Sequence, residues 1–139
     1  MNKLLIIGNS VDLLEPLKIF LEQKNYAVKI LGSGDNICNE IHEYKPDLLI
    51  LNIFLENEDG QEICKNLRKN IETKHLGILV FSASPAALSN YKSFHADDCL
   101  KKPFDLDTLL KKIQSMLEWT AIRKRAFQFE LSSIVLPGI

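Results

Sequence analysis

The chain has 139 residues, 46% of them hydrophobic and 25% charged, an ordinary globular composition and enough for one domain with a proper core. Seventeen basic residues against eighteen acidic ones leave a net charge of -1, so no overall field recruits nucleic acid or an anionic membrane, and partners are expected to be met by local surfaces. Cys38, Cys64 and Cys99 are odd in number and contain no C-x-x-C pair, which excludes a disulfide framework or zinc knuckle and leaves three buried, reduced thiols as the expectation.

Leu4 to Ile7 is a short apolar run followed by the turn Gly8-Asn9-Ser10, and reads as a first buried strand. Its apolar length is too small for a signal peptide, and no later stretch reaches transmembrane length, so a cytoplasmic location is expected. Val11 to Lys24 places Leu13, Leu14, Leu17, Phe20 and Leu21 on one helical stripe, with Pro16 in the first turns. Tyr26 to Leu31 supplies a second strand, and Asn36 to Tyr44 a second helix with Ile37, Ile41 and Tyr44 inward.

Pro46 stops that helix before Leu48-Leu49-Ile50-Leu51-Asn52. Four apolar residues in succession leave no solvent face, so this is a central strand covered on both sides. Asn52 sits where it runs out. Asp59 then caps a third helix carrying Ile63, Cys64 and Leu67, with Arg68 and Lys69 near its end, where the helix dipole favours cations. Leu76 to Phe81 is a fourth strand ending at Ser82, and Pro85 opens a fourth helix that is expected to run to about His95. Asp97 to Lys101 is a short fifth strand, and Asp105 or Asp107 starts a long last helix with Leu106, Leu109, Leu110, Ile113, Met116 and Leu117 on its apolar side. Strands alternating with helices in this way predict an α/β fold, a three-layer doubly wound five-stranded parallel sheet.

Over residues 2 to 120 the chain resembles a bacterial response-regulator receiver domain, of the CheY-like, flavodoxin-like kind. The resemblance rests on the element order, Pro46-Asp47 before the third strand, Asp59-Gly60 after it, Glu72-Thr73-Lys74-His75 before the fourth, Ser82-Ala83 at its end, and above all Lys102-Pro103-Phe104. It implies strand order 2-1-3-4-5 and a cis peptide between Lys102 and Pro103.

Receivers of the usual type take a phosphoryl group on an aspartate at the end of the third strand, beside Mg²⁺ held by that aspartate and an acidic pair after the first strand. The chemistry needs those acids, because a carboxylate is the nucleophile and hard oxygen ligands hold the ion. By the resemblance, Asn52 stands at the phosphoacceptor position and Gly8 with Asn9 at the acidic pair. An amide has no charged oxygen and its nitrogen lone pair is delocalised, so it cannot replace the nucleophile. Ser82 and Lys102 stand where the family's phosphoryl-contacting hydroxyl and lysine lie, and Cys99 replaces the aromatic of the family's switch. The positions Gly8, Asn9, Asn52 and Lys102 together carry one positive charge, on Lys102, which should repel Mg²⁺; no metal or other cofactor is expected. Glu56, Glu58 and Asp59 follow in the next loop, read as solvated acids and a helix cap, with a Glu56–Lys102 ion pair as the alternative. Tyr91, Phe94 and Phe104 read as packing residues. His42, His75 and His95 fall on separate elements and suggest no metal or nucleophile-base constellation.

Residues 1–122 are therefore expected to form a receiver-like domain and residues 123–139 a C-terminal extension. Phe127-Gln128-Phe129-Glu130-Leu131 alternates apolar and polar, a strand signature, so the extension is read as a strand, a linker stump or a self-association segment. The basic triplet Arg123 to Arg125 reads as a solvated helix end, so nucleic acid is not expected as a partner. The functional expectation is an atypical receiver, not an enzyme, that acts without phosphorylation by binding a protein partner or a second copy of itself as a homodimer. The alternative is an anion or small-ligand module using Asn9, Asn52, Ser82 and Lys102 at the strand ends. Residual phosphotransfer onto Ser82 or a loop acid is a weaker third reading.

Overall fold

The continuous apolar runs become strands covered on both faces. A computed structural model describes residues 1–56 and 58–135. In chain order the elements are β1 (Lys3–Ile7), α1 (Val11–Gln23), β2 (Ala27–Leu31), α2 (Ile37–Tyr44), β3 (Leu48–Asn52), β4 (Phe54–Leu55), β5 (Glu58–Asp59), α3 (Gly60–Lys69), β6 (Gly77–Ser82), α4 (Pro85–Leu88), β7 (Asp98–Lys101) and α5 (Leu106–Val135). Five strands form one parallel sheet in the order β2-β1-β3-β6-β7, the expected 2-1-3-4-5 order once the small ribbon β4–β5 is left out of the numbering.

Because side chains alternate across a strand, the central strands feed two cores. Leu5, Ile7, Leu49, Leu51, Ile78 and Val80 face α2, α3, α4 and the turn that follows α4, where they meet Ile41, Cys64, Leu67, Leu88 and Phe94. Leu4, Ile6, Leu48, Ile50, Leu79 and Phe81 face α1 and α5, where they meet Leu14, Leu21, Leu109, Ile113 and Met116. Each fully buried Leu or Ile stabilises the fold by roughly 1.5–3 kcal/mol relative to exposure. The stripe expected on α1 is present at Leu14, Leu17, Phe20 and Leu21, while the side chain of Leu13 lies outside the described residues.

Local chemistry sets the element ends. Helix α2 closes on Lys45 in the left-handed conformation, with its N–H on Ile41 O, and Pro46 follows. The Asp59 carboxylate accepts from the Gln61 N–H at 2.9 Å, the expected cap of α3. Asp105 accepts from the Thr108 N–H at 2.7 Å at the start of α5. The Lys102–Pro103 peptide is cis.

Four expectations are corrected. The fourth helix does not reach His95: it stops after Leu88, and a separate 3-10 turn spans Tyr91–Phe94. The Ser89 hydroxyl donates to Ala86 O and the Ser93 hydroxyl to Asn90 O, so short polar side chains compete with the helix ladder where it breaks. Residues 127–131 are not a strand but part of the single helix α5. Each backbone group there finds a partner within the helix already under way, whereas a lone strand would need an edge to pair with. The cysteines are not all buried, since Cys38 is exposed and Cys99 half-buried. Finally, the basic triplet is not wholly a solvated helix end, since Arg123 is half-buried and bonds Asp97; the β3–α3 loop also holds a short antiparallel ribbon, Phe54 opposite Asp59 and Leu55 opposite Glu58.

Helix α5 lies close against the sheet where Gly77 begins β6. A Cβ at Gly77 would come within 2.5 Å of Thr120 Cγ2, so the missing side chain sets the approach of the helix. That approach brings Arg123 to Asp97. The Asp97 carboxylate receives Arg123 through both terminal nitrogens at 3.1 Å, Arg68 Nη2 at 2.8 Å and the Ile78 N–H at 2.8 Å. Arg68 spends its other donors on the carbonyls of His95, Lys74 and Leu76. One carboxylate thus joins α3, β6 and α5 at the amino end of the sheet.

Candidate functional site

The carboxyl ends of β1, β3, β6 and β7 bring Gly8, Asn9, Asn52, Ser82 and Lys102 together. Two adjoining cavities of about 220 and 410 Å³ lie there, the first lined by Gly8, Asn9, Ser10, Leu14, Asn52, Phe81 and Lys102, the second by Asn9, Asn52, Phe54, Ser82, Ala83, Ser84 and Lys102. No carboxylate is among these lining residues.

The amides are not idle. Asn9 Nδ2 donates to Phe54 O at 2.6 Å, and Asn9 Oδ1 accepts from the Glu56 N–H at 2.7 Å. One side chain from the β1–α1 turn therefore grips the backbone of the β3–α3 loop through both of its polar atoms. Asn52 Oδ1 accepts from the Phe54 N–H at 3.2 Å and supports the same turn from the end of β3. Gly60 N–H bonds Ile53 O at 3.1 Å at the far side of the loop, and both carboxylate oxygens of Glu58 accept from the Gly34 N–H at 3.0 Å. Glu58 is thus an anchor between two loops rather than a solvated acid.

Ser82 is buried, and its Oγ accepts from the Ser84 N–H at 3.1 Å. Its carbonyl accepts from the Lys102 N–H at 2.9 Å, which ties the end of β7 to the end of β6. The Lys102 ammonium lies 4.7 Å from the centre of the Phe81 ring, a cation–π arrangement. The ion pair Glu56–Lys102 is absent among the described residues: Glu56 is exposed and engages the site through its backbone.

Cys99 is not part of this constellation. It pairs with Val80 in the sheet and packs at the edge of the α2–α3–α4 core, and burial, followed by the charge of Asp98, raises its thiol pKa. A neutral thiol there is a poor nucleophile. Cys64, deep in the core, is pushed up to about 12, chiefly by burial. Phe94 is fully buried, and Tyr91 and Phe104 pack against the two cores, as expected.

Mg²⁺ does not fit this donor set. It calls for near-octahedral hard oxygen, usually with one or two carboxylates. Here the side-chain oxygens of Asn9 and Asn52 already accept backbone N–H groups, and the Lys102 ammonium lies within the same cavities. An acidic side chain at Gly8 would also meet a neighbour, because a Cβ there comes within 2.9 Å of Leu14 Cδ1.

The sequence did not disclose that the backbone of Phe54 and Glu56 and the ring of Phe81 belong to this site. A backbone carbonyl and N–H carry no signature, and Phe81 reads simply as a strand residue.

Comparison with known proteins agrees with this geometry. Residues 4–114 match the model of the response regulator receiver domain. The response regulator ArlR of Staphylococcus saprophyticus is 32% identical over 119 residues, covering 84% of this chain and 53% of ArlR, so the chain spans about half the length of that relative. A two-component response regulator from Clostridium difficile shares 28% identity at a TM-score of 0.75, covering 85% of this chain and 97% of that one. The response regulator TrrA of Thermotoga maritima, crystallised in complex with Mg²⁺ and BeF, shares 25% identity at a TM-score of 0.74, covering 84% and 99%. With the parallel sheet in 2-1-3-4-5 order and the strand-end constellation in place, the chain belongs to the response-regulator receiver family of two-component signalling.

Proposed function

We propose that this chain is a receiver-type interaction module that works without accepting a phosphoryl group. The observation that carries the reading is the grip of Asn9 on Phe54 O and the Glu56 N–H. It holds the β3–α3 loop with neutral hydrogen bonds, in a pocket whose lining includes no carboxylate. A site built this way has neither the anionic nucleophile nor the ion ligands that phosphoryl transfer to an aspartate uses. Incubation with acetyl phosphate and Mg²⁺ followed by intact-mass measurement is expected to give no adduct. An adduct that disappears in Lys102→Ala would overturn the reading.

The partner is a protein of a cytoplasmic signalling pathway, and a second copy of this chain is one such partner. On α5, Trp119, Ile122, Ala126 and Phe129 recur at spacings of three and four, and their exposures include 40% for Trp119, 62% for Ile122 and 74% for Phe129. That is the a/d pattern of a short coiled-coil seam. The seam takes up the self-association role expected of the C-terminal extension, in helical rather than strand form.

A second reading, an anion site at the strand ends, draws on Lys102, whose ammonium rests over Phe81 with no carboxylate lining its cavities. Phosphate titration followed by amide shifts at Ser82 and Lys102 tests it.

A further inference from the structure

A concentration of basic residues lies at the opposite end of the sheet. A cavity of about 520 Å³ there is lined by Lys65, Arg68, Lys69, Lys74, His75, His95 and Arg123. Cations at the end of α3 are ordinary, since the helix dipole favours them, and that accounts for Arg68 and Lys69. It does not account for the rest. Lys65 sits a turn earlier, Lys74 and His75 come from the connection into β6, His95 follows the 3-10 turn, and Arg123 comes from α5. Four separate segments converge their basic residues on one concavity in a chain of net charge -1.

The carboxylate beneath them is already used. Asp97 is 9% exposed and bonds both Arg68 and Arg123, leaving two guanidinium groups to share one negative charge. Among the described residues Arg123 Nε is buried without a hydrogen-bond partner, an unmet donor of the kind that costs stability unless an acceptor arrives. Lys69 makes no ion pair among the described residues, and Lys65 has only a 3.7 Å contact to Glu62 one turn away. Two imidazoles and the lysine stems supply flat and aliphatic surface beside the charges.

We propose that this amino-end cavity binds a small, multiply charged phosphate compound of about the size of a nucleoside diphosphate. Its volume lies within the roughly 300–1,000 Å³ of small-molecule sites, and the ammonium groups of Lys65 and Lys69, beside two guanidinium groups that share one carboxylate, suit phosphate oxygens. The site is separate from the strand-end pocket and does not rest on the reading given to it.

The test uses the full chain, titrated with inorganic pyrophosphate and with ADP by calorimetry and amide NMR. Saturable binding is expected, with shifts gathered at Lys65, Lys69, His75, His95 and Arg123, and ADP tighter than pyrophosphate if the imidazoles stack on the base. Lys65→Glu with Lys69→Glu, both outside the Asp97 network, should weaken binding at least about tenfold, the scale of losing a charge-assisted contact. The neutral pair Lys65→Gln with Lys69→Gln should fall between. Lys24→Glu with Lys111→Glu, the same charge change on distant surfaces, should leave binding intact. No saturable binding of either probe at millimolar concentration overturns the proposal. So does equal weakening in both glutamate pairs, or a set of shifts centred on Ser82 and Lys102 instead.

Discussion

The two ends of the sheet solve the problem of exposed loop backbone in opposite ways. At the carboxyl end, neutral amides do the holding: Asn9 and Asn52 satisfy the backbone of the β3–α3 loop directly. At the amino end, charge does it: Asp97 is shared by two arginines reaching in from α3 and α5. Hydrogen bonds between neutral groups cost little to desolvate but are individually modest. A buried ion network is costly to form, and breaking it leaves uncompensated charge behind. The end that carries the family's signature is thus held by the weaker class of contact, and the end with no motif is the one whose disruption should hurt most.

Asp97→Ala should give the largest effect. It strands Arg68, whose side chain is 14% exposed and whose pKa is already lowered, first by burial and then also by Arg123. It also removes the acceptor of the Ile78 N–H. A loss of about 3–5 kcal/mol is expected in urea unfolding; a loss under about 1 kcal/mol would erase the contrast between the two ends.

Next comes the exposed seam of α5. Ile122→Glu with Phe129→Glu should shift sedimentation toward monomer, since each apolar side chain removed from a seam forfeits roughly 1.5–3 kcal/mol of burial. An unchanged sedimentation profile would count against pairing through this helix.

At the carboxyl end the expected effect is smaller. Asn9→Ala should cost about 1 kcal/mol, the net value of ordinary hydrogen bonds, and should speed amide exchange at Glu56 while leaving residues around Asp97 unchanged. Equal loosening at both ends would mean that they are one cooperative unit.

The smallest effect is a pH dependence at the start of α5. Asp105 is lowered from 3.8, chiefly by the Thr108 backbone hydrogen bond and next by the Thr108 hydroxyl. A carboxyl whose folded pKa is depressed contributes stability fully present above its unfolded value, and loses it as pH falls through the lower folded value. Asp105→Asn should flatten that part of the acid limb of a stability-against-pH curve; an unaltered limb would show that the cap contributes nothing measurable.

Much of this architecture was legible without coordinates, for reasons particular residues make plain. Leu48 to Leu51 have no polar neighbour to turn toward water, so a strand covered on both faces follows directly. Asp59 precedes an amphipathic run and caps it as such residues do. The fourth helix misled because Pro85 marks a start clearly, whereas Ser89 and Asn90 mark a break only weakly. The period-two pattern of residues 127–131 misled because a five-residue alternation fits a strand and also fits one flank of a long helix. Which pattern prevails depends on what precedes it, and α5 was already well under way.

The amino-acid sequence by itself determined the order of elements, the two apolar faces of each central strand, and the uncharged residues Gly8, Asn9 and Asn52 that follow or end the first and third strands. Those are properties of residue type and local period. Only the tertiary structure decided that Asn9 closes on the Phe54 carbonyl and the Glu56 N–H, and that Glu58 anchors Gly34 instead of facing water. Only it decided that Asp97 gathers Arg68 and Arg123 beneath a basic cavity. These contacts join residues 24 to 47 positions apart along the chain. Such pairings leave no periodic trace in sequence, because they exist only after the sheet and its covering helices have set the distances.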